Sequence, residues 1–251
     1  MTSLALDRVS KRFGGVTVMT DLSMAIEPGR VTGLIGPNGA GKTTVVNLIT
    51  GMLKVTSGTI RLEGRDITED SPQAIARGGI SRTFQNIRLL RDASVLDNVV
   101  IGFHRHERTS LVANLVGAPS VWREKKAFHD QAYAMLEQFG MAQYAQYPAG
   151  SLSYGHQRRV EMMRALAMSP SILLLDEPVA GMNDVEAEEL GGIFRRLAEQ
   201  GLGILLIEHN MRFVMSLCHV VYVLAFGKLI ASGTADEVCR QPAVIDAYLG
   251  A

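Results

Sequence analysis

The feature that most constrains this chain is the segment Gly36-Pro37-Asn38-Gly39-Ala40-Gly41-Lys42-Thr43, which has the pattern G-x-x-x-x-G-K-T. It follows the apolar run Val31–Ile35 and leads into Thr44-Val45-Val46-Asn47-Leu48-Ile49, which reads as the first turns of a helix. Strand, glycine-rich loop and helix in that order form a phosphate-binding loop. The glycines let backbone N–H groups converge where a Cβ would obstruct them, and the helix N-terminus adds the positive end of its dipole. Gly36, Asn38, Gly39, Ala40, Gly41, Lys42, Thr43 and Thr44 are therefore the candidate contacts to a nucleoside triphosphate. Lys42 would reach the β- and γ-phosphates, and the Thr43 hydroxyl would ligate Mg²⁺.

A 251-residue chain suits one large α/β domain, with or without a subdomain. Lys+Arg and Asp+Glu both number 25, so there is no basic field to hold nucleic acid, and a nucleic-acid partner is not expected. The two cysteines, Cys218 and Cys239, form no C-x-x-C pair; a disulfide framework or zinc site is not expected, and a reducing cytoplasm fits. The N-terminus lacks the apolar core of a signal peptide, and the apolar stretches near Ile172–Leu175 and Val220–Phe226 are too short to span a bilayer. Any service to a membrane would run through partner subunits.

Strands are expected at Leu4-Ala5-Leu6, Val16–Ile26, Val31–Ile35 and 58–62, with turns at Gly14-Gly15 and Pro28-Gly29. A short helix over 72–78 would start on Pro72. From about 86 to 168 strand patterns give way to helical stretches such as Glu124–Phe139 and His156–Ala167, which marks an inserted helical subdomain. Strand character returns at Ile172–Leu175, Gly203–Ile207, Val220–Leu224 and Lys228–Ala231, with a connecting helix at about 184–200. The domain division is therefore a core of 1–85 and 169–251 around a helical insertion at 86–168.

The strand Ile172–Leu175 ends in Asp176-Glu177. Ligands of open α/β sheets lie at the carboxyl ends of strands, so Asp176 is placed to hold Mg²⁺ through water and Glu177 to orient or deprotonate an attacking water. Ser153 and Gly155, in Leu152-Ser153-Tyr154-Gly155-His156-Gln157, stand at a helix start. Ser153 reads as an N-cap, and the pair also reads as a second anion site. Two such sites beside one phosphate loop suit a head-to-tail pairing in which each chain closes the other's ATP site. His209 follows the next strand and is a candidate for a γ-phosphate or water contact. Gln85 stands where core and insertion join and is a candidate sensor of Mg²⁺. Phe13 reads equally as a purine-stacking residue or as core. Met162, Met163 and Met168 read as packing.

Taken together and in this order, these motifs resemble the ATP-binding cassette (ABC) family across essentially the whole chain. The resemblance implies a P-loop ATPase core with an N-terminal antiparallel β-subdomain and an inserted helical subdomain. It implies catalytic roles for Glu177, His209 and Gln85, Mg²⁺ at Thr43, Gln85 and Asp176, and adenine stacking on Phe13. Ser153 and Gly155 would bind the γ-phosphate held by the partner subunit, with Ala180-Gly181-Met182-Asn183 crossing between subunits. The runs Arg82–Leu90, Ile207–Met211 and Ala247-Tyr248-Leu249-Gly250 and the segment Phe103–Lys126 resemble ATPase subunits of bacterial branched-chain amino acid importers. That subgroup implies two membrane permeases, a second related ATPase or a second copy of this chain, a periplasmic binding protein, and a place on the cytoplasmic face of the inner membrane. Other cargo on the same machine (urea or short amides, aromatic acids, lipopolysaccharide export) and a soluble non-transport ATPase are the alternatives. Asn183, His156 and Phe13 depart from the commoner Asp, Gln or Gly, and Tyr of the superfamily.

Overall fold

The computed structural model describes residues 4–83, 87–106 and 119–249. They divide into two compact units. The first takes the chain through Arg82, Ser171–Pro178 and everything from Asp184 onward; the second takes Thr83–Pro170 and Val179–Asn183.

The first unit holds two sheets. Six strands form the larger: β3 (Val31–Ile35), β6 (Ile80–Arg82), β7 (Ile172–Asp176), β8 (Gly203–Ile207), β9 (Val220–Ala225) and β10 (Lys228–Gly233). Their order is β10-β9-β3-β8-β7-β6. All neighbours are parallel except the β9–β10 hairpin. Every residue of β3, β7 and β8 is buried, which is why these strands are unbroken apolar runs rather than alternating ones. The smaller sheet, order β2-β1-β4-β5, is antiparallel and comprises β1 (Leu4–Phe13), β2 (Val16–Ile26), β4 (Ser57–Leu62) and β5 (Arg65–Asp66). The expected α/β core with an N-terminal antiparallel sheet is thus present.

β1 runs seven residues further than its sequence pattern suggests. Leu4 and Leu6 face the core, but the pairing register then shifts and Val9 is the next buried residue. Arg8 at φ 47° sits in that irregularity, which breaks the two-residue alternation. The strand's extension carries Phe13 to its end.

Helices α1 (Lys42–Ile49), α2 (Pro72–Gly78), α6 (Asp184–Glu199), α7 (Met211–Leu217), α8 (Ala235–Cys239) and α9 (Pro242–Leu249) belong to this unit; the helices of the other unit fall between α2 and α6 in chain order. Val45, Val46, Leu48 and Ile49 of α1 join one core cluster with Leu4, Leu22, Ile172 and Leu205. A second cluster joins Ile35 to Val214, Val223, Val238 and Val244.

The second unit contains α3 (Val95–Val100), a 3₁₀ turn at Ile101–His106, α4 (Pro119–Gln138) and α5 (Tyr154–Leu166). Its interior is unusually polar. Arg158 pairs with Glu161 at 3.0 Å with both side chains buried, and Arg159 donates to the Phe139 carbonyl at 3.1 Å. Met162 and Met163 are fully buried, the packing role expected of them. Asn98, also fully buried, saturates a loop: its amide donates to Leu90 O and Ser94 O at 3.0 and 2.9 Å and accepts from Leu90 N at 2.9 Å. Asn98→Ala should therefore lower the unfolding free energy by about 2–3 kcal/mol, because three groups lose buried partners. Urea denaturation followed by far-UV circular dichroism measures this, and a loss below about 0.5 kcal/mol would mean water replaces the amide freely.

Candidate functional site

The loop between β3 and α1 is built by conformations that only glycine supplies easily. Gly36, Gly39 and Gly41 lie at φ 149°, 78° and 105°. A Cβ on Gly36 would stand 2.0 Å from the Leu224 carbonyl oxygen of β9, so the loop's first residue is held against the neighbouring strand. Ala40 N–H donates to Pro37 O at 3.2 Å, which closes the turn. Gly41 caps α1 without any side-chain bond, and no acidic residue occupies the first helical turn. The leading N–H groups of α1 are therefore left for an outside anion rather than neutralised by the chain itself. Asn38, Gly39 and Thr43 are exposed and Thr44 half-buried.

The Lys42 ammonium folds back to donate to Gly36 O at 2.7 Å and Pro37 O at 3.0 Å. Burial lowers its pKa, while the charges of Glu177 and Asp176 oppose that fall. The lysine and both carboxylates thus share one electrostatic neighbourhood. Asp176 is the buried last residue of β7, paired in register with Ile207 of β8. Glu177 follows at φ 50°, a left-handed conformation that L side chains adopt at a strain of order 1–3 kcal/mol. Its N–H is fixed to Ile207 O at 2.9 Å, and its partly exposed carboxylate lies 3.7 Å from His209 Nδ1.

His209 is well exposed on the loop after β8. That loop is held by a residue the sequence reading did not single out. Glu208 is buried, and its Oε2 accepts from the N–H groups of His209 at 3.1 Å and Asn210 at 3.4 Å. Asn210 then caps α7, its Oδ1 accepting from Phe213 N at 3.1 Å. An acidic residue directly after an apolar strand and before His-Asn was the available signal. Burial, helped by the Glu208 charge, pushes the Cys218 thiol up to about 12, so it stays neutral and unreactive near pH 7.

Phe13 is about half exposed at the end of β1, with Lys11 Nζ 4.8 Å from its ring centroid; it is not a core residue. Tyr248, on α9, lies beside the phosphate loop: burial raises its pKa and a hydrogen bond with the Gly36 backbone partly opposes this. Gln85 lies outside the described residues.

Ser153 and Gly155 belong to the second unit. Ser153 caps α5, accepting from His156 N at 3.4 Å. Gly155 faces Met182, whose Cγ would be 3.5 Å from an added Cβ, and Gly181 at φ 74° lies against the Tyr154 ring. The 179–183 loop therefore packs over the start of α5, within that unit.

The family model described as "ABC transporter" matches residues 19–180, from β2 through the phosphate loop, α5 and the Asp176-Glu177 pair. The chain belongs to the ABC transporter ATP-binding family. As an ABC ATPase it binds and hydrolyses ATP as a transporter subunit. A second model, described as "Branched-chain amino acid ATP-binding cassette transporter", matches residues 228–251. Among curated relatives, the high-affinity branched-chain amino acid transport ATP-binding protein LivG of Salmonella typhimurium is 41% identical, and BraF of Pseudomonas aeruginosa, described in the same words, is 39% identical. Each alignment covers 98% of this chain and 97% of the relative. Among solved structures, the ADP conformation of the ATP-binding cassette MJ1267 superposes with a TM-score of 0.87 at 32% identity, and a nucleotide-free cassette with 0.86 at 32%, both over the full length of each chain. No helix among the described residues is long and apolar enough to cross a membrane.

Gly36→Ala should abolish nucleotide binding by the ABC ATPase, because the new methyl meets the backbone of β9 and displaces the loop. Isothermal calorimetry with ATP checks this; wild-type affinity would show that the β3–β9 contact yields without disturbing the loop.

Proposed function

We propose that this ABC ATPase powers import of branched-chain amino acids from the cytoplasmic face of the inner membrane. It would act through two permease subunits, fed by a periplasmic binding protein, as a nucleotide-sandwich dimer with a related ATPase subunit or with a second copy of itself. The near full-length likeness to LivG and BraF, together with the match at 228–251, supports this cargo.

In this reading residues 1–85 and 169–251 form the nucleotide-binding core and 86–168 the helical subdomain. The observation that carries the site is the convergence of β3, β8 and β7: three adjacent parallel strands end in the phosphate loop, in His209 and in Asp176-Glu177. Backbone N–H groups from Gly36 to Thr44 hold the phosphates, and Lys42 turns from its carbonyls to the β- and γ-oxygens. Phe13 stacks on the base. The hydroxyl of Thr43 and the carboxylate of Asp176 are hard oxygen donors and, with Gln85, fit Mg²⁺, which takes few protein ligands beside phosphate oxygens and water. Bound there, Mg²⁺ would neutralise phosphate charge. Glu177 draws the proton from the attacking water, and His209, 3.7 Å from that carboxylate, positions the water and the γ-phosphate. Ser153 and Gly155 contact the γ-phosphate held by the partner ATPase, and 180–183 crosses to it. The strained backbone of Glu177 fits a carboxylate aimed by its surroundings rather than by local preference.

Glu177→Gln keeps the side chain's shape and removes the base. It should bind ATP as tightly as wild type, dimerise stably with it, and hydrolyse it at least about 100-fold more slowly. Turnover near wild type in a phosphate-release assay would remove Glu177 from the role. Uptake of labelled leucine, isoleucine and valine in cells lacking the chain tests the cargo separately. It should fall, and only the wild type should restore it. Unchanged uptake of all three would transfer the machine to another cargo and leave the ATPase assignment standing.

A further inference from the structure

The hairpin joining β9 to β10 breaks a local rule without any return in packing. Ala225 pairs with Lys228, so Phe226-Gly227 is a two-residue connection. Both residues are left-handed, at φ 48° and 72°, the type I′ turn whose first position favours Asn or Asp. Phenylalanine is strained there, and its ring gains no burial in exchange. At 85% exposure it is the most exposed large apolar side chain among the described residues. A residue that weakens its own turn and contributes nothing to the core points to a ligand.

The position of the turn names that ligand. Gly227 N–H donates to the carbonyl of Ala40, inside the phosphate loop, at 3.0 Å. Gly227 O accepts from Thr20 N–H of β2 at 2.9 Å, and a Cβ on Gly227 would stand 2.1 Å from Val18 O. Two residues back along β2, Val16 pairs with Phe13, the other exposed aromatic at this edge. The two rings thus stand on neighbouring hairpins, one on each side of the Val16–Val18 stretch, beside a loop that takes phosphates. A nucleotide seated by its phosphates extends its base outward from the loop, and a flat, weakly polar base is what an exposed aromatic ring receives.

We propose that Phe226 is a second base-contacting residue of the ATP site, forming with Phe13 an aromatic rim around the purine. The contact is to a π-face and carries no hydrogen-bond readout, so it serves adenine and guanine alike. The inference rests on the nucleotide seat at Gly36–Thr44 proposed above.

Phe226→Asn separates function from folding because it installs the residue the turn prefers. The full-length variant should melt about 2 °C higher than wild type. Its affinity for ATP and for GTP should fall about 3- to 10-fold, while inorganic tripolyphosphate, which has no base, binds unchanged. Phe226→Trp should keep the ATP affinity. Wild-type ATP affinity in Phe226→Asn overturns the proposal; if ATP-driven dimerisation is then impaired instead, the ring is a subunit contact. An equal loss for tripolyphosphate also overturns it, since the turn would then act by shaping the loop. Phe13→Ala measured in parallel distinguishes the two failures. Weakening in that variant alone defeats the role of Phe226 and spares the base seat. Weakening in neither defeats base stacking at this edge altogether.

Discussion

The parallel pairing of β3 with β8 on one side and β9 on the other is the constraint on which the site depends. Val31 faces Ile204 and Thr32 faces Val220, so all three strands run to the same edge. β7 extends that edge because Asp176 pairs with Ile207. A phosphate loop, a histidine loop and a carboxylate pair from distant parts of the chain then emerge side by side. Because these strands are buried on both faces, a one-residue slip would bring no polar face to water, and alternation cannot set the register. Close backbone contacts at the strand ends set it instead: Gly36 against Leu224 O, and Glu177 N–H on Ile207 O.

The groups at that edge are held in a state poised for a ligand. Lys42 satisfies its ammonium on two neutral loop carbonyls, which a charged phosphate oxygen would outcompete electrostatically. The Glu177 backbone is strained and its carboxylate lies 3.7 Å from the exposed His209, just beyond a direct hydrogen bond. Glu208 supplies the rigidity that His209 lacks by gripping two successive N–H groups from a buried position.

Most of the fold is legible in the residues, for reasons that differ by element. β3, β7 and β8 read correctly because complete burial demands uninterrupted apolar runs. The turn from β3 to α1 is legible as a glycine loop between strand and helix because its glycines are required by positive φ at Gly39 and Gly41 and by close approach at Gly36. α5 reads as a helix with its start two residues late, since its start is set by the Ser153 cap rather than by periodicity. α7, α8 and α9 were missed. Five to eight residues span too little of the 3.6-residue period to register, even though α8 carries a full Thr234–Glu237 capping box. β1 was cut short because Arg8 interrupts its alternation. Glu208 escaped notice because burial of a carboxylate depends on the loop that folds over it.

Ser153 shows why the two readings of a helix start need not compete. A hydroxyl that caps a helix spends a lone pair as acceptor, and its O–H remains free to donate. Ser153 accepts from His156 N–H at 3.4 Å, near the limit of a hydrogen bond. Its capping role is therefore weak, and its proton is available to a phosphate oxygen in the proposed partner site without leaving the cap unsatisfied. Gly155, with no side chain, lets Met182 pack against the first turn of α5, whose cap is otherwise made by Ser153 alone. The same economy governs α1, where Gly41 declines to cap and leaves the N–H groups unspent. Each helix start is thus finished only as far as folding requires, and what remains unsatisfied has the chemistry of a phosphate receptor.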